Sequence, residues 1–151
     1  MSRLLLVCSS GGHLFEMFTL YDDVWAEHER VWVTFRKPDA ESMLARERVI
    51  WAFGPTHRSI LNLFRNMHLA IRVLLSVKPD AIFSTGSGVA LPFFCVAKVL
   101  GIRTMFLESI TRTRNLSLTG RLIYRVADEF LVQSATLLKD YPRSKYMGRI
   151  F

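Results

Sequence analysis

The sequence predicts an α/β domain built on a mostly parallel sheet with helices on both faces. Three observations carry this: six short apolar or β-branched runs, helical patterns between most of them, and glycine turns where strand passes into helix. Runs that stay apolar throughout belong to strands covered on both sides, as parallel sheets are. Ligands of such folds lie beyond the carboxyl ends of the strands, which singles out the loops after Cys8, Ser84 and Leu107.

Residues 4–8 form the first strand, five apolar residues that break into Ser9, Ser10, Gly11, Gly12 and His13. Two glycines before a helix let a ligand approach bare backbone at a helix N-terminus, where N–H groups and the dipole favour anionic or oxygen-rich groups. Ser10, Gly11 and Gly12 are therefore candidate binding residues. His13, at the mouth of the turn, is a candidate acid or base near neutral pH.

Residues 31–35 and 49–53 are the next two strands, and a long helix follows from an N-cap at Ser59. No acid occurs from His57 to Lys78, while Arg58, Arg65 and Arg72 recur every seventh residue. The arginines thus share a stripe with Asn62, Asn66, His68 and Ser76. Ile60, Leu63, Phe64, Met67, Ala70, Ile71 and Leu74 are expected on the opposite, sheet-packing side. Leu61, Leu69 and Val73 fall among the arginines. A spanning helix is disfavoured, because each arginine near mid-membrane costs about 2.5–3.5 kcal/mol. An in-plane contact suits the pattern better, with Arg58, Arg65 and Arg72 on anionic headgroups and Leu61, Leu69 and Val73 dipping into the interface. A core helix with a solvated basic face carries equal weight at this point.

Residues 81–84 form the fourth strand, and Thr85, Gly86, Ser87 and Gly88 lead from it into a helix over 89–100. This second turn repeats the first and offers hydroxyls and amides to a ligand. Neither turn fits the G-x-G-x-x-G or G-x-x-x-x-G-K-[ST] pattern, which counts against a dinucleotide fingerprint or a P-loop. The fifth strand, 104–107, ends at Glu108. There a partly desolvated carboxyl suits general-base work, and a capping role or a pair with Arg112 suits it equally. Arg112 can hold phosphate oxygens or be a solvated loop cation. Residues 130–132 form the sixth strand.

At 151 residues, half of them hydrophobic, the chain is sized for one well-buried domain spanning 1–151, with no linker or repeat. A net charge of +7 points to an anionic partner: nucleic acid, an acidic membrane or a phosphorylated substrate. Cys8 and Cys95 fit as small buried hydrophobes in a reducing compartment, without a disulfide or zinc framework. The N-terminal apolar run is too short for a secretory signal and reads as the first strand of a cytoplasmic protein.

Several segments together resemble a known family. They are Ser9 to His13 with Glu16, Pro79-Asp80-Ala81-Ile82 leading to Thr85-Gly86-Ser87-Gly88 and Pro92, and Leu107-Glu108-Ser109. Leu116 to Leu122, Val132-Gln133, Tyr141-Pro142 and Tyr146-Met147-Gly148 follow in order. The pattern resembles the asparagine-linked glycosylation protein fourteen family and bacterial PssD-type polysaccharide-biosynthesis proteins. The first turn is also similar to that of the MurG-like glycosyltransferases, which have the GT-B fold.

The resemblance implies a single Rossmann-like, acceptor-side half of a GT-B glycosyltransferase. A separate donor-binding subunit would supply the other half and most contacts to a sugar nucleotide, a UDP-sugar, with no resident cofactor or metal. This chain would recruit that subunit to the cytoplasmic membrane face and present a lipid-diphosphate-linked saccharide, and would be inactive alone. Gly11, Gly12 and His13 match the acceptor-side loop, Gly86, Ser87 and Gly88 the second loop of the cleft, and Glu108 an acidic position that makes it a second candidate base beside His13. Residues 142–151 are expected to touch the partner. Eukaryotic members carry an N-terminal membrane anchor, which is not expected in this chain, so its attachment to the anionic inner membrane surface would be peripheral.

Two other classes fit parts of the sequence. One is a free-standing α/β nucleotide or small-molecule binding domain, in which His13 only donates a hydrogen bond. The other is a basic nucleic-acid module; against it, Phe93, Phe94 and Phe106 sit in apolar runs and no recognition motif is present.

Overall fold

In the computed structural model, which describes all 151 residues, seven parallel strands form one sheet in the order β3-β2-β1-β4-β5-β6-β7. The strands are β1 Arg3–Cys8, β2 Glu29–Phe35, β3 Val49–Ala52, β4 Ala81–Gly86, β5 Arg103–Leu107, β6 Glu129–Val132 and β7 Lys145–Tyr146. The helices are α1 Gly12–Thr19, α2 Pro38–Met43, α3 Ile60–Val77, α4 Ala90–Leu100 and α5 Leu118–Ile123. This is a Rossmann-like sheet, and all six strands expected from the apolar runs are present. The seventh strand has no apolar run to announce it. It is a two-residue edge with both residues exposed, held beside β6 by an ion pair from Lys145 Nζ to Glu129 Oε2 at 2.6 Å.

Alternation along the strands sends residues to two cores. Leu5, Val7, Val33, Ile82 and Phe106 meet Ala70, Leu74, Phe93 and Phe94 under α3 and α4. Leu6, Cys8, Trp32 and Phe83 meet Leu14, Met17 and Trp25 under α1 and the single π-turn Tyr21–Trp25. The strands are apolar throughout because both faces are covered.

The long helix begins as expected, with the Ser59 hydroxyl accepting the Asn62 N–H. Its orientation differs from the sequence expectation. The buried side is Asn62, Asn66, Ala70, Val73, Leu74 and Val77, while Ile60, Leu63, Phe64 and Ile71 face outward. The physical reason lies in the two asparagines. Asn66 donates to the Phe53 carbonyl and accepts the Phe53 N–H, both at 2.9 Å, and Asn62 donates to the Pro55 carbonyl at 2.8 Å. These bonds tie the helix to the loop after β3 and turn its asparagine side inward, since buried backbone groups need partners. Val73, expected at a membrane interface, is therefore core, 4% exposed. Leu69 is half-buried against the core, and Arg58 precedes the N-cap outside the helix. Arg65, Arg72 and Leu61 are exposed as expected.

Candidate functional site

The strand order reverses between β1 and β4, and the crevice beyond their carboxyl ends is where such sheets bind ligands. Both glycine turns meet there. The Ser9 N–H donates to the Gly86 carbonyl at 3.0 Å, which joins the two turns directly. His13 opens α1 between them. Its Nδ1 lies 2.7 Å from the Thr85 carbonyl oxygen, and the Thr85 hydroxyl donates to the His13 carbonyl at 2.6 Å. A carbonyl only accepts, so Nδ1 carries a proton and Nε2 is the ring nitrogen turned toward the crevice as the candidate base.

Gly86 is glycine for two reasons. Its φ is +113°, and a Cβ there would stand 2.8 Å from His13 Cε1. The imidazole rests directly on the Gly86 backbone. At the first turn, Gly11 has φ +79° and caps α1 without a side chain, and its N–H donates to Asp39 Oδ2 at 2.7 Å. The N–H groups of Gly12 and His13 are first-turn donors without an intrahelical acceptor. Ser10 and Ser87 stand half-buried on this rim, and Gly88 abuts Thr56 of the β3–α3 loop.

Glu108 is on the same rim but is fully employed. It accepts from the Ser109 N–H at 3.0 Å and from the N–H and hydroxyl of Ser117, each at 2.9 Å, and is 2% exposed. Ser117 in turn caps α5 by accepting the Gly120 N–H. The arrangement ties the end of β5 to the start of α5, the capping role that the sequence left open beside the catalytic one. Arg112 is exposed on the loop between them and forms no ion pair.

Glu16 is a further buried carboxyl at this site, 5% exposed. Three residues after His13 on α1, it reaches under the β5–α5 loop, where Oε1 lies 3.3 Å from both the Ser109 hydroxyl and the Ile110 N–H. Its other oxygen has no partner. Burial pushes this carboxyl above the usual range, against the pull of the Ile110 and Ser109 bonds. The i, i+3 spacing from His13 was the available signal. Asp39 and the two buried asparagines of α3 had none beyond residue type.

Residues 44–150 match the family described as oligosaccharide biosynthesis protein Alg14 like. The chain is 28% identical to the UDP-N-acetylglucosamine transferase subunit ALG14 of Mus musculus, over 98% of this chain and 82% of that protein. It is 33% identical to the human subunit of that name, over 71% of this chain and 51% of that protein. Among solved structures, it resembles MurG of Acinetobacter baumannii with a TM-score of 0.74 at 17% identity, over 90% of this chain and 43% of that one. It resembles the S. aureus MnaA–UDP structure with a TM-score of 0.78 at 11% identity, over 99% of this chain and 44% of that one. The chain therefore spans less than half of either solved structure, and its fold is that of one half of a GT-B enzyme. By its sequence, this chain belongs to the Alg14-like family of oligosaccharide biosynthesis proteins.

Proposed function

We propose that this chain is the acceptor-side subunit of a two-chain N-acetylglucosaminyltransferase. It would work with a separate donor-binding subunit, on a lipid-diphosphate-linked saccharide at the cytoplasmic face of a membrane. One observation carries the proposal: His13 is clamped, with Nε2 free, at the switch point of a domain that matches only 43% of the MurG chain. The names of its relatives supply the sugar, N-acetylglucosamine, and the nucleotide, UDP.

In this reading Nε2 of His13 takes the proton of the acceptor hydroxyl as that oxygen attacks the anomeric carbon and the UDP leaves, with inversion. Thr85 holds the ring, and Gly86 leaves room for it. The amides of Gly12 and His13, with Arg112, face the acceptor diphosphate as donors. Glu108 shapes the rim instead of taking the proton, because both of its oxygens are occupied. The partner brings the UDP-sugar, so no resident cofactor is required of this chain. Its docking is expected to involve residues 142–151, where Met147 to Ile150 run beside an apolar groove on the sheet face of β4, β5 and β6.

Co-expression tests the assignment. A tagged copy of this chain should retain a small donor-half subunit through purification, and the pair should move labelled N-acetylglucosamine from UDP to a membrane lipid fraction. Tight UDP-sugar binding by the lone chain, with no transfer in any pairing, would instead point to a free-standing binding domain.

A further inference from the structure

We propose that Glu16 is a positioning residue: it locks the turn over residues 109–112 to the helix that carries His13, and so sets where Arg112 meets the acceptor diphosphate. This deepens the transferase reading above and rests on it.

Thr111 to Asn115 are exposed throughout, so burial fixes little of the loop between β5 and α5. Its ends are held instead. Glu108 accepts from Ser109 and Ser117 at the root, Leu116 is core, and the Ser134 hydroxyl reaches the Thr113 carbonyl at 3.4 Å. For residues 109–112, the one hydrogen-bonding partner outside the loop is Glu16, whose Oε1 meets the Ser109 hydroxyl and the Ile110 N–H. Around that oxygen the turn closes on itself. Thr111 donates its N–H to Ser109 Oγ at 3.3 Å, the two hydroxyls lie 3.1 Å apart, and the Arg112 N–H donates to the Ser109 carbonyl at 3.0 Å. Arg112 thus ends a turn whose first two residues hang on α1.

His13 lies in the first turn of α1 and Glu16 three residues on, so both project from one side of the same short rigid element. One is bonded to the end of β4 through Thr85, the other to the loop after β5. Moving Arg112 relative to His13 therefore means breaking the bonds of Glu16. The other oxygen of Glu16 is buried without a partner, which costs stability, so the two loop bonds are what this carboxyl contributes. A guanidinium holds phosphoryl oxygens only at the right distance and angle. The coupling thus bears on the acceptor, not on the donor that the partner subunit brings.

Trypsin reads the turn directly, because it cuts after Arg112 and Arg114. On the full chain alone, Glu16→Ala should speed the Arg112 cut by about tenfold or more, the worth of a hydrogen bond to a carboxyl. The cut at Arg46, exposed before β3, should keep its rate. Glu16→Gln retains the acceptor and should be cut like the parent. Ser109→Ala removes the hydroxyl between Glu16 and Thr111 with less disturbance of the core, and should speed the Arg112 cut about fivefold. In the pair with the donor-binding subunit, Glu16→Ala should raise KM for the lipid-diphosphate-linked saccharide about tenfold and leave KM for UDP-N-acetylglucosamine within about twofold. Glu16→Gln should restore it, and in an Arg112→Ala background Glu16→Ala should add less than about twofold. Equal Arg112 cutting in the parent, Glu16→Ala and Ser109→Ala overturns the proposal, as does Glu16→Gln cut as fast as Glu16→Ala. So does a rise in both KM values together, or full additivity of Glu16→Ala with Arg112→Ala. Cutting is read without partner, donor or acceptor. A parent pair that transfers no sugar therefore counts against the transferase assignment, and the Arg112 cut still decides whether Glu16 holds the turn.

Discussion

His13 and Thr85 hold each other through two hydrogen bonds, ring Nδ1 to the Thr85 carbonyl at 2.7 Å and Thr85 hydroxyl to the His13 carbonyl at 2.6 Å. The first selects the tautomer and the second anchors the start of α1 to the end of β4. Together they fix the orientation of the ring beyond the carboxyl end of β4.

His13→Ala and His13→Gln should therefore lower transfer by the reconstituted pair by about 10²–10⁴-fold, the usual worth of a positioned general base. Circular dichroism and melting temperature should barely change, because the ring stands on an open rim. A loss of less than tenfold would remove His13 from the chemistry.

Gly86→Ala tests the ring's seat. The new methyl would stand 2.8 Å from Cε1 of His13 at a φ of +113°. The chain should lose about 1–3 kcal/mol in urea unfolding. Transfer should fall nearly as far as in His13→Ala, because the imidazole must move.

Much of this architecture could be read from residue order. Six strands, the Ser59 cap and both glycine turns follow from apolar runs, a hydroxyl before a helical period and glycines after strands. Period alone could not orient α3. Ile60, Phe64 and Ile71 are as apolar as any core residue, and only the loop after β3, which needs Asn62 and Asn66 as partners, turns them outward. Glu108 shows the same limit at the site. Its place at a strand end was legible, but the donors that occupy it come from Ser109 and from Ser117, nine residues away.

Asn66→Ala measures the tie that rotates α3. It leaves the Phe53 N–H and carbonyl without their partner, a cost of about 2 kcal/mol in denaturant unfolding. Thiol labelling of Cys95, half-buried on the neighbouring α4, should become faster as the helix loosens.

Glu16→Gln has a pH signature. Burial raises the folded carboxyl pKa, so the folded chain holds that proton more tightly than the unfolded chain does. The stabilisation is full below the ordinary carboxyl value of about 4.5 and is lost as pH rises through the folded value. Glutamine keeps an acceptor for Ser109 and Ile110 without charge. The melting temperature of Glu16→Gln relative to the parent should therefore climb from pH 4 to pH 8; a gap independent of pH would show that the Glu16 carboxyl titrates as it does in the unfolded chain.

In the proposed assembly this chain is one wall of a shared cleft. The most direct measurement mixes the separately purified chain and its donor-half subunit with labelled UDP-N-acetylglucosamine and a lipid-diphosphate-linked saccharide, then follows label into lipid as the ratio of the two chains is varied. The expected result is no transfer from either chain alone, a rate that saturates at a fixed stoichiometry, and loss of that rate with His13→Ala. Transfer by this chain alone, or a donor subunit whose rate is indifferent to this chain, would contradict it.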